Sequence, residues 1–226
     1  MWTQTTIHFA TLSAIIRLAH KYQCHNILRQ ALHVLTSYYT RNHEEWKARE
    51  NHPLIAAPED AIDAVHLARL TDKPDVLTTA LFQCAYLGPR IVGGAMRPDG
   101  SRVTLSNTDI ALCLRARESI TALNLLGLQH LAQTVTSNMW CTCAKECRNT
   151  AFAFWKAATL GFEGYDPVSL HPWVDVLTEF KHNRVDNPGV SFCQSCMECI
   201  YANFALTSPR AGTWERLPGI FGVTED

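Results

Sequence analysis

The chain has 226 residues, of which 47% are hydrophobic and 18% charged, and its formal net charge is −1. This length and composition are typical of an ordered globular protein with one large domain or two small ones. The near-zero net charge offers no electrostatic footprint for nucleic acid or anionic lipid, and no apolar run approaches the ~18 residues that a membrane span needs.

Helical periodicity dominates the N-terminal part of the chain. Apolar residues at steps of three and four predict two packed helices, joined by a short turn near His25 and Asn26. They are Leu12, Ile15, Ile16, Ala19 and Tyr22 in the first helix and Ile27, Leu28, Ala31, Leu32 and Leu35 in the second. A third helix is expected after Ala57, where a proline and two acids suit a first turn. The next apolar series runs from Leu77 to Leu87 and ends at Gly88.

The pattern in the rest of the chain also predicts helices, apart from one turn. Asp99-Gly100 predicts a short hairpin near residues 96–104. A long apolar stretch over 109–135 follows, with a possible division at Gly127 or near Arg115. Further helices are predicted at 144–159, 173–182, 196–206 and 213–221. The expected fold class is therefore all-α, an irregular array of helices with zinc-like cysteine knuckles in its C-terminal half.

Two short cysteine-rich segments, residues 141–147 and 193–199 and called the two windows below, are the clearest indication of chemistry in the sequence. Six of the nine cysteines lie in them, and they are Cys141, Cys143, Cys147, Cys193, Cys196 and Cys199. Two such knuckles, each placing two thiolates on one ion, are typical of a structural four-thiolate zinc site. Because four protein thiolates leave no open position on the ion, the pattern predicts scaffolding rather than catalysis.

The spacing leaves the ligand set open. Cys193 and Cys196 form a regular Cys-x2-Cys knuckle, whereas Cys147 pairs either with Cys143 or with Cys141. Cys199 is either a further ligand or a buried neighbour. His171 and His182 are minor candidates for a metal nitrogen.

Two simpler readings compete with a metal site. Clustered cysteines also occur as buried core residues, or as disulfides in secreted proteins. The isolated cysteines, Cys24, Cys84 and Cys113, lie in apolar helical patterns and are predicted to be core residues. The N-terminus has neither the basic start nor the apolar centre of a signal peptide, so an intracellular location, cytoplasmic or nuclear, is expected. A reducing compartment favours thiolate ligands over disulfides.

Several segments together resemble the large fungal family of BTB/POZ-domain proteins. The residues that carry the resemblance are Arg17–Gln23, Ala61–Thr71, Leu77–Phe82, Asp99-Gly100 with Leu105-Ser106, the two cysteine knuckles and Trp214–Gly222. The order and spacing match over residues 12–222. The resemblance implies three regions: C-terminal helices of a BTB-like domain over 1–48, a helical region over 49–136, and a helical region with the two knuckles over 137–226. It also implies that the mixed strand and helix core of a BTB domain is missing.

A non-catalytic protein-interaction module is the function that this resemblance implies. Its implied partners are a cullin-type ubiquitin ligase or a transcriptional partner. Self-association is expected if the apolar face of the first two helices, which Trp2, Ile7 and Phe9 are able to cover, stays exposed. Established catalytic motifs are missing, so no enzyme activity is predicted. The alternatives are a nucleic-acid-binding zinc protein, disfavoured by the few basic residues near the knuckles, and an enzyme with an unrecognised site.

Overall fold

A computed structural model describes residues 6–160, 166, 168, 170, 176–177, 192–204 and 209–223. Contacts group the chain into two compact units, one of residues 1–117 with 216–226 and the other of residues 118–215. They are called the N-terminal and the C-terminal unit below. The three-region division expected from the sequence stays a prediction.

Helices make up most of the described chain, so the all-α prediction is confirmed. The α-helices are α1 (Phe9–Lys21), α2 (His25–Tyr38), α3 (His43–Lys47), α4 (Ala61–Leu70), α5 (Pro74–Leu87), α6 (Asn107–Thr136), α7 (Ala144–Leu160), α8 (Gln194–Phe204), α9 (Pro209–Glu215) and α10 (Leu217–Phe221). Short 3₁₀ helices cover Arg49–Asn51, Pro58–Asp60 and Gly88–Gly93. Within the described ranges, each helix is too short or too polar to cross a bilayer.

The N-terminal unit is built around α4 and α5, which are buried on nearly all sides. Leu67 and Val65 of α4 and Leu81 of α5 are fully buried, and α1, α2 and α10 pack around this pair. Pro74 opens α5 at its first position, where the missing N–H costs no hydrogen bond, and Gly88 ends it with a φ of 60°. Both helices therefore belong to the core, and they bury polar side chains as well, among them Asp63 of α4 and Thr79 of α5.

In the part of the chain that the structure describes, four two-residue strands accompany the helices. β3 (Ala95–Met96) and β4 (Arg102–Val103) pair antiparallel, which confirms the predicted hairpin. β1 (Ile7–His8) and β2 (Leu54–Ile55) pair parallel, which the sequence did not predict. Two residues are too few to show the alternation that identifies a strand.

Helix α6 is continuous over Asn107–Thr136, so the expected division at Gly127 or Arg115 is wrong. A glycine inside a helix costs only about 1 kcal/mol relative to alanine, which packing can offset. Leu128 and Leu131, just beyond Gly127, are both buried. The helix predicted at 173–182 lies mostly outside the described residues.

The first two helices keep part of their apolar face exposed. Ile7 and Phe9 are buried, and Trp2 lies outside the described residues, so the covering of this face by these three residues stays a prediction. Leu18, Tyr22 and Ile27 nevertheless remain exposed around the turn between α1 and α2, with relative exposures of 55%, 65% and 49%. Self-association through this corner stays a prediction.

The isolated cysteines divide into two groups. Cys84 and Cys113 are buried, as predicted, and Cys113 Sγ lies 3.7 Å from the Leu81 carbonyl oxygen. Cys24 is exposed, so its assignment to the core is wrong. It lies in the turn between α1 and α2, directly after Gln23 with its positive φ of 55°, and the turn takes it off the apolar stripe of both helices.

A buried carboxylate links α1, α4 and the hairpin. Asp63 of α4 accepts a hydrogen bond of 2.6 Å from Ser13 Oγ on one oxygen. Its other oxygen accepts 2.6 Å contacts from Nη2 of both Arg17 and Arg97. The Asp63 side chain is only 6% exposed, so these three partners replace the water that it loses on folding.

Gly94, at the entrance to the hairpin, is expected to tolerate no side chain. Its φ is 70°, and an added Cβ would overlap the Val103 carbonyl oxygen and lie 2.8 Å from Thr104 Cγ2. Gly94→Ala should therefore destabilise the N-terminal unit by about 1–3 kcal/mol or more in chemical denaturation. Gly93→Ala is the matched control, since a Cβ there meets nothing within 4 Å. Equal midpoints for the two variants would contradict the prediction.

Candidate metal centre

Four cysteine sulfurs converge in the C-terminal unit. Cys141, Cys147, Cys193 and Cys196 place their Sγ atoms within 4.8 Å of one another, and the Cys141 and Cys193 sulfurs are 3.8 Å apart. A tetrahedron of thiolates bound at about 2.3 Å has edges of about 3.8 Å. The cluster therefore has the dimensions of a four-thiolate metal site. All nine cysteines are free thiols, so it is not a disulfide pair.

The structure distinguishes among the six candidate ligands. Cys147 meets Cys141, at the longer of the two spacings that the sequence left open, and Cys143 lies outside the group of four. Cys143 directly precedes α7, where its carbonyl accepts the Cys147 N–H at 2.9 Å and its sulfur lies 3.5 Å from Thr142 Oγ1. Cys199 is also outside the group, as a half-buried residue one turn beyond Cys196 on α8.

The start of α8 positions the regular knuckle. Cys193 directly precedes the helix, and its carbonyl accepts the Met197 N–H at 3.0 Å, so it occupies the cap position. A hydrogen bond from the Cys196 backbone N–H lowers the pKa of the Cys193 thiol to about 6. Cap side chains accept such bonds, and the positive end of the helix dipole favours a thiolate there.

N–H groups also approach the two buried sulfurs. The Cys193 backbone N–H donates to Cys147 Sγ at 3.2 Å, and Asn138 Nδ2 donates to Cys196 Sγ at 3.4 Å. Groups that contact ligand atoms in this way orient them and stabilise their charge. Asn138 Oδ1 also accepts the Trp140 N–H at 3.0 Å, which shapes the loop before Cys141.

Burial opposes ionisation of the inner sulfurs. It raises the pKa of the Cys147 thiol to about 11, and burial with the adjoining Cys141 thiol also raises the pKa of Cys196. A divalent cation among the four sulfurs reverses this effect, because it favours the thiolate form of its ligands. The arrangement can hold a metal ion, and its buried half is unsuited to carry negative charge without one.

The cluster lies in the core of the C-terminal unit. Cys147 and Cys196 belong to the same buried cluster as Leu131 of α6, Phe154 of α7 and Ile200 of α8. Cys141 and Cys193 are half-buried at its edge. Four bonds to one ion would therefore fasten the starts of α7 and α8 to the loop that follows α6.

Sequence reasoning missed Asn138, and His171 and His182 cannot be placed. Asn138 lies between the end of α6 and the first group of cysteines. Asparagine is common in such turns, because its side chain hydrogen-bonds to nearby backbone groups. That signal suggests a turn but does not point to a sulfur. Both histidines lie outside the described residues.

Comparisons with known proteins found no relative of this chain. No family model matches this chain, and no curated protein or solved structure matches it. The BTB/POZ resemblance therefore stays a prediction, and the metal centre rests on its own geometry.

Proposed function

We propose that this chain is a non-catalytic, helical protein-interaction module whose C-terminal unit is held together by a structural zinc ion. The observation that carries the metal part is the convergence of Cys141, Cys147, Cys193 and Cys196 within 4.8 Å. Tetrahedral sites of four sulfurs suit zinc or iron, and zinc is the usual ion where the role is structural.

A structural role follows from the ligand count. Four protein thiolates complete the coordination of zinc, so no position remains for water or substrate. The two pairs of ligands come from segments that are far apart in the sequence, since Cys147 and Cys193 are separated by 46 residues. Such a site acts as a cross-link between segments.

Two features support the interaction part of the proposal. One is the resemblance of residues 12–222 to BTB/POZ proteins, which implies a cullin-type ligase or a transcriptional partner. The other is the exposed apolar corner of Leu18, Tyr22 and Ile27. Exposed apolar residues that lie together often mark a protein interface.

Elemental analysis tests the metal part. Protein purified under reducing conditions should contain about one zinc and no stoichiometric iron per chain. Replacing zinc with cobalt should give the visible spectrum of a tetrahedral thiolate site. Cys143→Ser and Cys199→Ser should retain the metal, whereas Cys141→Ser and Cys193→Ser should lose it. Protein without stoichiometric metal, or metal that depends on Cys143 instead of Cys141, would overturn the assignment.

Sedimentation analysis tests the interaction part. The chain alone, and the chain mixed with a purified cullin-type ligase scaffold, should form complexes that Leu18→Ser with Ile27→Ser weakens. Leu126→Ser, at an exposed leucine of the C-terminal unit, serves as a control. A stable monomer that does not bind the scaffold would remove this part and leave the metal part intact.

A further inference from the structure

A large cavity in the N-terminal unit lies beside the Asp63 network. Its volume is about 920 Å³, and it opens between the start of α1, the segment around β2 and the hairpin. Ligand pockets in proteins commonly have volumes of about 300–1,000 Å³. Three segments that the sequence singled out meet at its wall, since they contribute Arg17, Asp63 and Asp99.

Arg17 and Arg97 at this cavity share one carboxylate as their ion-pair partner. Both place Nη2 on the same oxygen of Asp63, so one carboxylate oxygen accepts from two guanidinium groups. The Arg17 and Arg97 side chains are still 37% and 35% exposed, which leaves them accessible. Arg17 Nε is also buried without a hydrogen-bond partner. Each guanidinium has five N–H donors, and the planar fork is suited to a carboxylate or a phosphate.

Other residues at the wall narrow the choice of anion. Asp60 and Asp99 also line the cavity, and each uses one oxygen to accept a backbone N–H, from Ala57 at 2.7 Å and from Ser101 at 2.8 Å. These two acids would repel a phosphate dianion more strongly than a carboxylate monoanion.

The remaining lining includes apolar side chains. They include Phe9, Ala14, Ile55, Met96 and Val103. Such a wall suits the apolar body of a ligand, and the few convergent polar groups set its orientation.

We propose that this cavity binds the carboxylate of a ligand with an apolar body, through Arg17 and Arg97. The carboxylate comes either from a free amphipathic acid or from an acidic side chain of a peptide. The site does not involve the metal centre, and its test is independent of that proposal.

Amide chemical shifts of the full chain would be followed during titration with four probes that each have six carbons: hexanoate, hexanol, hexylamine and hexyl phosphate. Hexanoate should bind at least about tenfold more tightly than hexanol and hexylamine, since a tenfold ratio is what a single charge-assisted contact of ordinary strength supplies. Hexyl phosphate should bind more weakly than hexanoate. Equal affinities for all four probes, or no binding, would overturn the proposal.

A second pair of probes separates the two sources of the carboxylate. Acetyl-Leu-Glu-Leu-amide and its glutamine counterpart have the same backbone and apolar side chains. If the glutamate peptide binds more tightly than hexanoate and the glutamine peptide does not, the peptide is the source. If hexanoate alone binds, the source is a free acid.

Three variants assign the binding to this cavity. Arg97→Gln should remove the preference for hexanoate over hexanol, whereas Arg102→Gln on the same hairpin, which is not part of the lining, should retain it. Ala14→Leu fills the cavity from an exposed position of α1 and leaves Asp63 and both arginines unchanged. Ala14→Leu should abolish hexanoate binding. This test does not depend on whether Arg97→Gln folds. Unchanged hexanoate binding in Ala14→Leu would mean that the arginines only fasten the hairpin.

Discussion

Cys196→Ser is expected to release the metal and unfold the C-terminal unit while the N-terminal unit stays folded. Cys196 is fully buried, so no water can replace its sulfur at the ion without disrupting the core. Structural zinc sites bind with an apparent free energy of about 10–16 kcal/mol at neutral pH. A whole domain is stable by about 5–15 kcal/mol, so losing most of this binding is enough to unfold the unit.

Hydrogen exchange with peptide-level readout measures this result. Peptides from 118–160 and 192–204 should lose protection in Cys196→Ser and in Cys147→Ser, whereas peptides from 61–87 should exchange as in the parent protein. Cys143→Ser and Cys199→Ser are matched controls from the same two windows, and both should exchange like the parent. Retained protection in Cys196→Ser with no metal bound would mean that these cysteines are ordinary core residues.

The second large effect concerns Asp63. Asp63→Asn keeps the shape of the side chain but leaves two arginines without their shared negative charge. Removing one partner of a buried ion pair costs about 3–5 kcal/mol. We therefore expect the N-terminal unit to lose stability by about this amount in urea denaturation. Glu59→Gln is the control, because Glu59 pairs with Arg90 at an exposed position and should cost about 1 kcal/mol or less.

The same carboxylate gives the N-terminal unit a defined pH dependence. Burial alone would raise the pKa of Asp63, but the hydrogen bonds from Ser13 and Arg97 and the charge of Arg17 hold it below its usual value. Its stabilising effect is therefore complete above the unfolded pKa of about 3.9 and is lost as the pH falls through the lower, folded pKa. As the pH is lowered through that range, the urea concentration at the unfolding midpoint should decrease for the parent protein. The decrease should be much smaller for Asp63→Asn. A parallel decline in both proteins would exclude this role.

Local patterns predicted most of the helices, because the spacing of apolar residues within a segment is enough to indicate a helix there. The steps from Leu12 to Tyr22 and from Leu77 to Leu87 identified α1 and α5, and Asp99-Gly100 identified the hairpin. Cys24 shows the limit of this reasoning. A residue at a helix end can match an apolar stripe in the sequence and still lie outside it, because the turn changes its direction.

Contacts between distant segments were not predictable in the same way. The two windows indicated where a metal site would lie, but the choice between Cys141 and Cys143 depends on how the loop approaches α8. In the sequence, Asp63 looks like one more polar residue of a helix. Its partners are 34, 46 and 50 residues away, and no local pattern relates them.

The separation of the two knuckles has a consequence for the order of synthesis. Chains grow at about 5–20 residues per second, so the 46 residues after Cys147, up to and including Cys193, take roughly two to nine seconds to make. During this interval the nascent chain offers an ion two thiols of the eventual four. Stable metal capture by the cluster must therefore wait for the second pair, so the metal-bound core of the C-terminal unit forms only after its last two ligands have been made.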